Sequence, residues 1–253
     1  HTMNKKIFSK NLDSEQKKFL IAQELRQLLT ESDNFDKQAH AFYDFYKMLI
    51  SGNKKVRLVA NTDFNEFLYR HLCDSLFVLK AIPPLNHKVV VDIGSGAGFP
   101  GLPIKIINGD ITLVSIESVS KKALFQVDVA KHLSLKNVKI INVRAEDAAR
   151  TELRETADIV LCRAVTRLSP LVEISLPFLK TGGVACLYKG SEVQEELKQA
   201  KKAMELCGGV LKDVVSYKVR PSDPVRNIVL ILKTTATPLK YPRKPGIPEK
   251  RPI

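Results

Sequence analysis

The chain has 253 residues, 44% hydrophobic and 26% charged, which suits one large α/β domain, or one domain of about 150 residues plus a helical extension, with a full core that requires no disulfide or metal staple. Forty lysines and arginines against 27 aspartates and glutamates leave +13 and a pI near 9.5. That excess points to a polyanionic partner, with nucleic acid ahead of a merely solvated surface and an acidic membrane a weaker third. Four scattered cysteines (Cys73, Cys162, Cys186 and Cys207) form no C-x-x-C pair and no zinc spacing, so free thiols in a reducing cytoplasm are expected. The run Asn227 to Leu232 is far too short for a membrane helix, and no apolar segment of signal-peptide type follows Met3.

Residues 13–50 read as two helices. Asp13 or Ser14 caps the first, with Phe19, Leu20, Ala22, Leu25, Leu28 and Leu29 near helical spacing. Asp33 or Asn34 caps the second, which carries Phe42, Phe45, Tyr46 and Leu49 and breaks at Ser51-Gly52-Asn53. Asp63 starts a third helix that ends before Pro83-Pro84. From Lys88 onward, short β-branched strands alternate with helices: residues 88–93, 111–116, 138–143, 158–162 and 184–188 read as strands. Such alternation predicts a parallel, doubly wound sheet whose strands all end along one ligand-binding edge. Residues 210–215 and 225–232 read as a closing antiparallel pair. The tail from Pro238 is rich in proline and charge, and is expected to be extended and partly disordered.

The first strand runs into Asp92-Ile-Gly94-Ser-Gly96-Ala-Gly98-Phe-Pro-Gly101. A glycine loop between strand and helix lets backbone approach a ligand closely. Gly96 to Gly101 matches the dinucleotide pattern G-x-G-x-x-G, but the acid-first order with Asp92 suits a ligand carrying positive charge, such as S-adenosylmethionine. Both readings stay open here, beside a bare tight turn. Glu117, at the end of the second strand, is placed to take the ribose hydroxyls of either ligand. Arg144, Ala145, Glu146 and Asp147 close the third strand, and Arg163 the fourth, at the same edge. His71 and Asp74, three apart, share one helix face, a spacing that fits an ordinary polar pair as well as a site.

Absences narrow the chemistry. The fourth strand is followed by Arg163-Ala-Val-Thr, not the [DNS]-P-P-[YFW] of amine-methylating enzymes, and no cysteine has the usual context of a nucleophile. An acceptor that needs neither base nor nucleophile, such as guanine N7, requires only placement.

Residues 65–75 (Asn-Glu-Phe-Leu-Tyr-Arg-His-Leu-Cys-Asp-Ser), Asp92 to Gly101, Arg144-Ala-Glu146, Arg163-Ala164, Leu187 to Gly190 and Tyr241 to Gly246 together carry a resemblance over nearly the whole chain. The sequence resembles the bacterial small-subunit ribosomal RNA guanine-N7 methyltransferases, also called the glucose-inhibited division protein B family. It departs from that pattern where Gly52, Arg57 and Val59 replace Trp, Asn and Thr.

The resemblance implies a class I S-adenosylmethionine-dependent methyltransferase fold. This is Rossmann-like α/β, with a mostly parallel seven-stranded sheet and an N-terminal helical extension. It divides the chain into a helical cap (3–86), a methyltransferase domain (87–235) and a basic tail (236–253). It implies Asp92, Gly94, Gly96, Phe99, Glu117, Ala145, Glu146 and Arg163 as cofactor-binding residues, and Arg144 and Arg163 as the arginines tied to activity. Arg70, His71, Lys121 and Lys189 are expected RNA contacts, with Lys122 a further lysine. The implied partner is 16S ribosomal RNA or the small ribosomal subunit, for a monomer in the bacterial cytoplasm with no membrane and no metal. Two other classes stay in view: a nicotinamide-dependent reductase, and a ribosome or RNA-binding protein without catalysis. A methyltransferase of another RNA position is the nearer alternative.

Overall fold

The structure is a computed structural model that describes residues 12–29, 34–163 and 166–253. Helix α1 (Ser14–Leu28) begins at a capping box: Asp13 accepts from the Gln16 backbone N–H and the Gln16 side chain accepts from Asp13 N. Helix α2 (Phe35–Asn53) continues through Ser51 and Gly52, where a break was expected. The chain turns at Asn53, whose Oδ1 accepts from the Leu58 and Val59 amides. Asp33, one of the two expected caps, lies outside the described residues, as do the first eleven.

The third helical segment is not a plain α-helix. Glu66–Cys73 is π-helical, Asp74–Leu76 (α3) is α-helical, and Phe77–Lys80 is a 3₁₀ turn. A π segment changes which side chains share a face and tends to mark a functional site.

The sheet has seven strands: β1 (Val89–Ile93), β2 (Thr112–Ile116), β3 (Val138–Ile141), β4 (Ala157–Arg163), β5 (Leu179–Lys189), β6 (Gly209–Tyr217) and β7 (Arg226–Lys233). Their order is β3-β2-β1-β4-β5-β7-β6, parallel except for β7, which runs antiparallel to both neighbours. Between β1 and β4 the order reverses, the topological switch point where such sheets bind ligands. There Ile93 pairs with Ile116 and Cys162, so β1, β2 and β4 finish level with one another.

Each strand divides its side chains between two cores, as its period of two requires. Val90, Leu113 and Leu161 face α1, α2, the π segment, α4 (Gly101–Ile107) and the inner side of α5 (Ser120–His132). Val91, Val114 and Val160 face α7 (Leu168–Ser175) and α8 (Val193–Cys207). The N-terminal helices thus form one layer of the sheet and share its core. Truncating a fully buried residue at this seam, such as Phe45 or Leu68, would cost about 2–5 kcal/mol.

The tail does not behave as its composition suggests. Tyr241 and Pro248 are buried, a last short helix α9 (Ile247–Lys250) forms, and Arg154 donates to the carbonyls of Thr237, Pro238 and Tyr241. Arg243 grips the fully buried Glu173 of α7 through two guanidinium nitrogens. Charge that composition assigned to a solvated tail is here used to dock it. No helix among the described residues is long and apolar enough to cross a membrane.

Candidate active site

The glycine loop leaves β1 at Ile93 and enters α4 at Gly101. Gly94 N donates to Ile116 O at 2.9 Å, extending the pairing with β2 by one step. Asp92 is fully buried beneath the loop, and its Oδ2 accepts from Gly101 N at 2.7 Å. A Cβ at Gly101 would stand 2.7 Å from that same oxygen, so only glycine allows the contact. The carboxylate therefore braces the loop from below. Burial raises its pKa to about 7, opposed by the Gly101 hydrogen bond and the Arg163 charge.

A second brace lies beside it. Gln126 of α5 donates to Ser95 Oγ at 2.8 Å and to Gly96 O at 2.7 Å, while Ser115 Oγ bonds both Ser95 and Gln126. All three side chains are buried, so the loop is held by a closed polar network. Glu117 completes the frame: Oε2 accepts from Gly96 N at 2.8 Å and Oε1 from Val119 N at 2.7 Å. Each of those oxygens retains a lone pair for a further donor.

At the end of β3, Arg144 precedes the short helix α6 (Ala145–Ala148). Glu146 is buried, accepts from Gly246 N at 2.8 Å, and faces Arg144 Nη2 at 3.5 Å. The tail therefore reaches the same edge as the glycine loop. The Arg144 side chain is 51% exposed and keeps most of its donors free for a ligand.

Arg163 ends β4 with its side chain only 14% exposed. Its Nη1 donates to Asp74 Oδ2 at 2.9 Å and to Arg70 O at 3.0 Å, and its Nη2 lies 3.4 Å from His71 Nδ1. Asp74 Oδ1 accepts from Tyr217 Oη and pairs with Arg226 Nη1, each at 2.7 Å. One buried carboxylate thus gathers two arginines and a tyrosine from β4, β6 and β7. His71 is pushed down to a pKa of about 4, first by burial and then by the Arg163 charge, so its ring is neutral at pH 7. With Arg163 facing Nδ1, the ring proton sits on Nε2.

Among the expected residues, Asp92, Gly94, Gly96, Glu117, Arg144, Ala145, Glu146 and Arg163 all stand at the carboxyl ends of β1 to β4. Arg70 and His71 join them through Arg163. Two expectations need correction. The Phe99 ring is buried, packed on Phe45 at 5.1 Å and on His71 at 5.0 Å, which leaves little of it for a cofactor. It fixes the loop to the helical layer. Lys189 pairs with Glu196 at 2.5 Å and donates to Thr166 O at 2.9 Å, so it ties the end of β5 to α8 and offers no free charge to a phosphate. Lys121 is exposed, on the first turn of α5. Ala164 lies outside the described residues.

Sequence reasoning missed Gln126, Ser115, Tyr217 and Arg226. Nothing local marks Tyr217, which meets Asp74 across 143 positions. A buried glutamine on a helix otherwise lined with alanine, phenylalanine and valine was the one readable signal for Gln126.

The donor set fits an adenosyl cofactor bearing a cation. Among the described residues, Asp92 Oδ1 is buried without a partner, and nothing stands within 4 Å of where a Cβ on Gly96 would lie. Such a ligand would find close backbone at Gly94 and Gly96, an acceptor for ribose hydroxyls in Glu117, and negative charge below in Asp92. The cysteines offer no nucleophile: all four are buried, and desolvation raises each thiol. Among the described residues no group of three or more His, Cys, Asp and Glu is arranged to hold a metal.

Comparison with known proteins gives the family. The family model described as rRNA small subunit methyltransferase G matches residues 38–228. Ribosomal RNA small subunit methyltransferase G of Lactobacillus johnsonii is 39% identical over 221 residues, 86% of this chain and 92% of its own. That of Carboxydothermus hydrogenoformans is 43% identical over 215 residues, 84% and 90%. Among solved structures, TrmN from Thermus thermophilus shares the fold, with a TM-score of 0.50 at 16% identity over 63% of this chain and 48% of that one. The chain belongs to the rRNA small subunit methyltransferase G family.

Proposed function

We propose that the chain transfers the methyl group of S-adenosylmethionine to N7 of a guanine in small-subunit ribosomal RNA. The enzyme class and the ribosomal RNA come with the family. The acceptor atom is the finer step, supported by two arginines at the edge and by acids and a histidine that, among the described residues, are already engaged: Asp92 by Gly101 N, Glu117 by Gly96 and Val119 N, Glu146 by Gly246 N, and His71 Nδ1 by Arg163. Guanine N7 already presents its lone pair, so no proton need leave before transfer.

S-adenosylmethionine supplies an electrophilic methyl group on a sulfonium. Gly94, Gly96 and Glu117 hold the adenosyl part, and Glu146 and Ala145 edge the adenine. Asp92 sets negative potential under the loop. Arg163, fixed by Asp74, Arg70 and His71, presents a rigid cation. A guanidinium suits the O6 acceptor of guanine and leaves N7 uncovered when it binds O6 alone. Arg144 is free to meet phosphate or base.

The single observation that carries the reading is the loop frame: Asp92 to Gly101 and Glu117 to Gly96, at the switch point of the sheet. The test is labelled-methyl transfer to small ribosomal subunits that lack native modification, with Glu117→Ala and Arg163→Ala beside the wild type. The expected outcome is that the wild type transfers label, that Glu117→Ala weakens cofactor binding, and that Arg163→Ala abolishes transfer in a folded protein. Preference for NAD(H) over S-adenosylmethionine would overturn the proposal.

A further inference from the structure

A groove of about 490 Å³ lies between the end of α2 and the outer side of α5, apart from the glycine loop. Its floor is apolar, from Met48, Val56 and Leu124, and its rim carries Lys55 and Lys121. Two features mark it as more than an irregularity. Leu124 is 63% exposed on α5, with Val127 also exposed on that helix and Val119 exposed at its N-cap. Lys54, Lys55, Arg57 and Lys121 are all exposed, and none has an ion-pair partner among the described residues, so four cations gather in residues 54–57 and at 121 with no carboxylate paired to them. The groove opens where α5 starts, and Lys121 follows Glu117 by four residues.

We propose that this groove is a second RNA subsite, which seats one unpaired nucleobase of the strand that carries the target guanine. The inference rests on the proposed RNA substrate. Proteins that bind single strands combine an apolar platform for a base with cations along the backbone. Met48, Val56 and Leu124 form the platform, and Lys55 and Lys121 meet the flanking phosphates. A protein partner would need an acidic face to match these cations, while the RNA strand already brings its phosphates to the adjoining edge. Asp128, the one carboxylate among the described residues that line the groove, would accept from an exocyclic amine and so favour cytosine, adenine or guanine over uracil.

The experiment uses the full chain. Leu124→Glu and Lys55→Glu change exposed side chains, so the fold is kept. Each is assayed for methyl transfer to unmodified small ribosomal subunits across a salt series and for S-adenosylmethionine affinity by calorimetry. A third variant carries a photoreactive phenylalanine analogue at position 124. The expected outcome is a KM for the subunit raised about tenfold with kcat and cofactor affinity unchanged. Lys55→Glu should also flatten the log–log salt slope by about 0.7. The photoreactive variant should cross-link to ribonucleotide. An unchanged KM and salt slope, or cross-linking to a ribosomal protein, would overturn the proposal. If the wild type moved no methyl to RNA, the parent reading would fail alone, and the cross-link would still decide the groove.

Discussion

Arg163 Nη1 lies 2.9 Å from Asp74 Oδ2, a bond that joins the last residue of β4 to the helical layer across 89 positions. The same carboxylate also holds Tyr217 and Arg226, so the orientation of Arg163 depends on three strands at once. Removing a carboxylate that balances two largely buried arginines costs about 3–5 kcal/mol. Asp74→Ala is therefore expected to lower the melting temperature sharply. Asp74→Asn keeps the shape and loses the charge, and methyl transfer should fall at least tenfold. Tyr217→Phe removes one hydrogen bond, about 1 kcal/mol, and should leave transfer within a few-fold of wild type. Steady-state assays beside thermal unfolding check both. Equal loss of activity in Tyr217→Phe and Asp74→Asn would show that stability, not Arg163 placement, controls transfer.

His71 supplies a pH signature. Arg163, Arg70 and Arg226 all hold its charged form down and Asp74 alone opposes them, while burial contributes most of the depression to about 4. A histidine whose folded pKa lies below its unfolded value adds stability that is complete above about 6.5 and is lost as pH falls through 4. The difference in stability between wild type and His71→Gln should be flat above pH 6.5 and should shift against the wild type below it. Direct NMR titration should find the ring neutral down to pH 5. A midpoint between 6 and 7 would contradict the packing of His71 against Phe99 and Arg163.

Asp92 titrates in the opposite sense. Its folded pKa, about 7, lies above the unfolded value, so this group lowers stability as pH rises from about 4 to 7. A cationic ligand favours the ionised form. Affinity for S-adenosylmethionine should rise with pH up to about 7 and then level off, and binding near pH 6 should release a proton. Asp92→Asn should bind more weakly and lose that dependence, since the amide oxygen still accepts from Gly101 N. Calorimetry in two buffers of different ionisation enthalpy measures the proton directly. Equal pH dependence in wild type and variant would remove Asp92 from the linkage.

Much of this arrangement is legible in sequence because it is local. The β-branched runs, the acid-first glycine loop, and Glu117 one strand later each follow from spacing within a few residues. The element boundaries moved where tertiary contact overrode propensity: α2 runs on through Gly52, and the helix after Asp63 becomes π-helical. The tail was misjudged for a related reason. Its five lysines and arginines against one glutamate read as a solvated segment, but Glu173 and Glu146, buried in the domain, take up Arg243 and the Gly246 amide. Composition cannot show a partner 70 to 100 residues away. The Asp74 cluster was hidden in the same way, since a tyrosine in β6 and an arginine in β7 carry no mark of their destination.

The tail contact has its own consequence. Glu173 is fully buried and held through both oxygens by Arg243. Arg243→Ala strands that charge and should cost about 3–5 kcal/mol, whereas the double change Glu173→Leu with Arg243→Met should recover most of it. Because Gly246 N reaches Glu146, loosening the tail should also weaken cofactor binding several-fold. Chemical denaturation and calorimetry on the two variants test both effects. A destabilised Arg243→Ala with unchanged cofactor affinity would separate the tail from the proposed cofactor site.

Nucleoside analysis of small-subunit RNA labelled by this enzyme from methyl-labelled S-adenosylmethionine tests the central claim most directly. Label recovered as 7-methylguanosine, and absent with Arg163→Ala, is the expected result. Label in any other nucleoside would keep the enzyme class and contradict the assignment of a placement-only reaction at guanine N7.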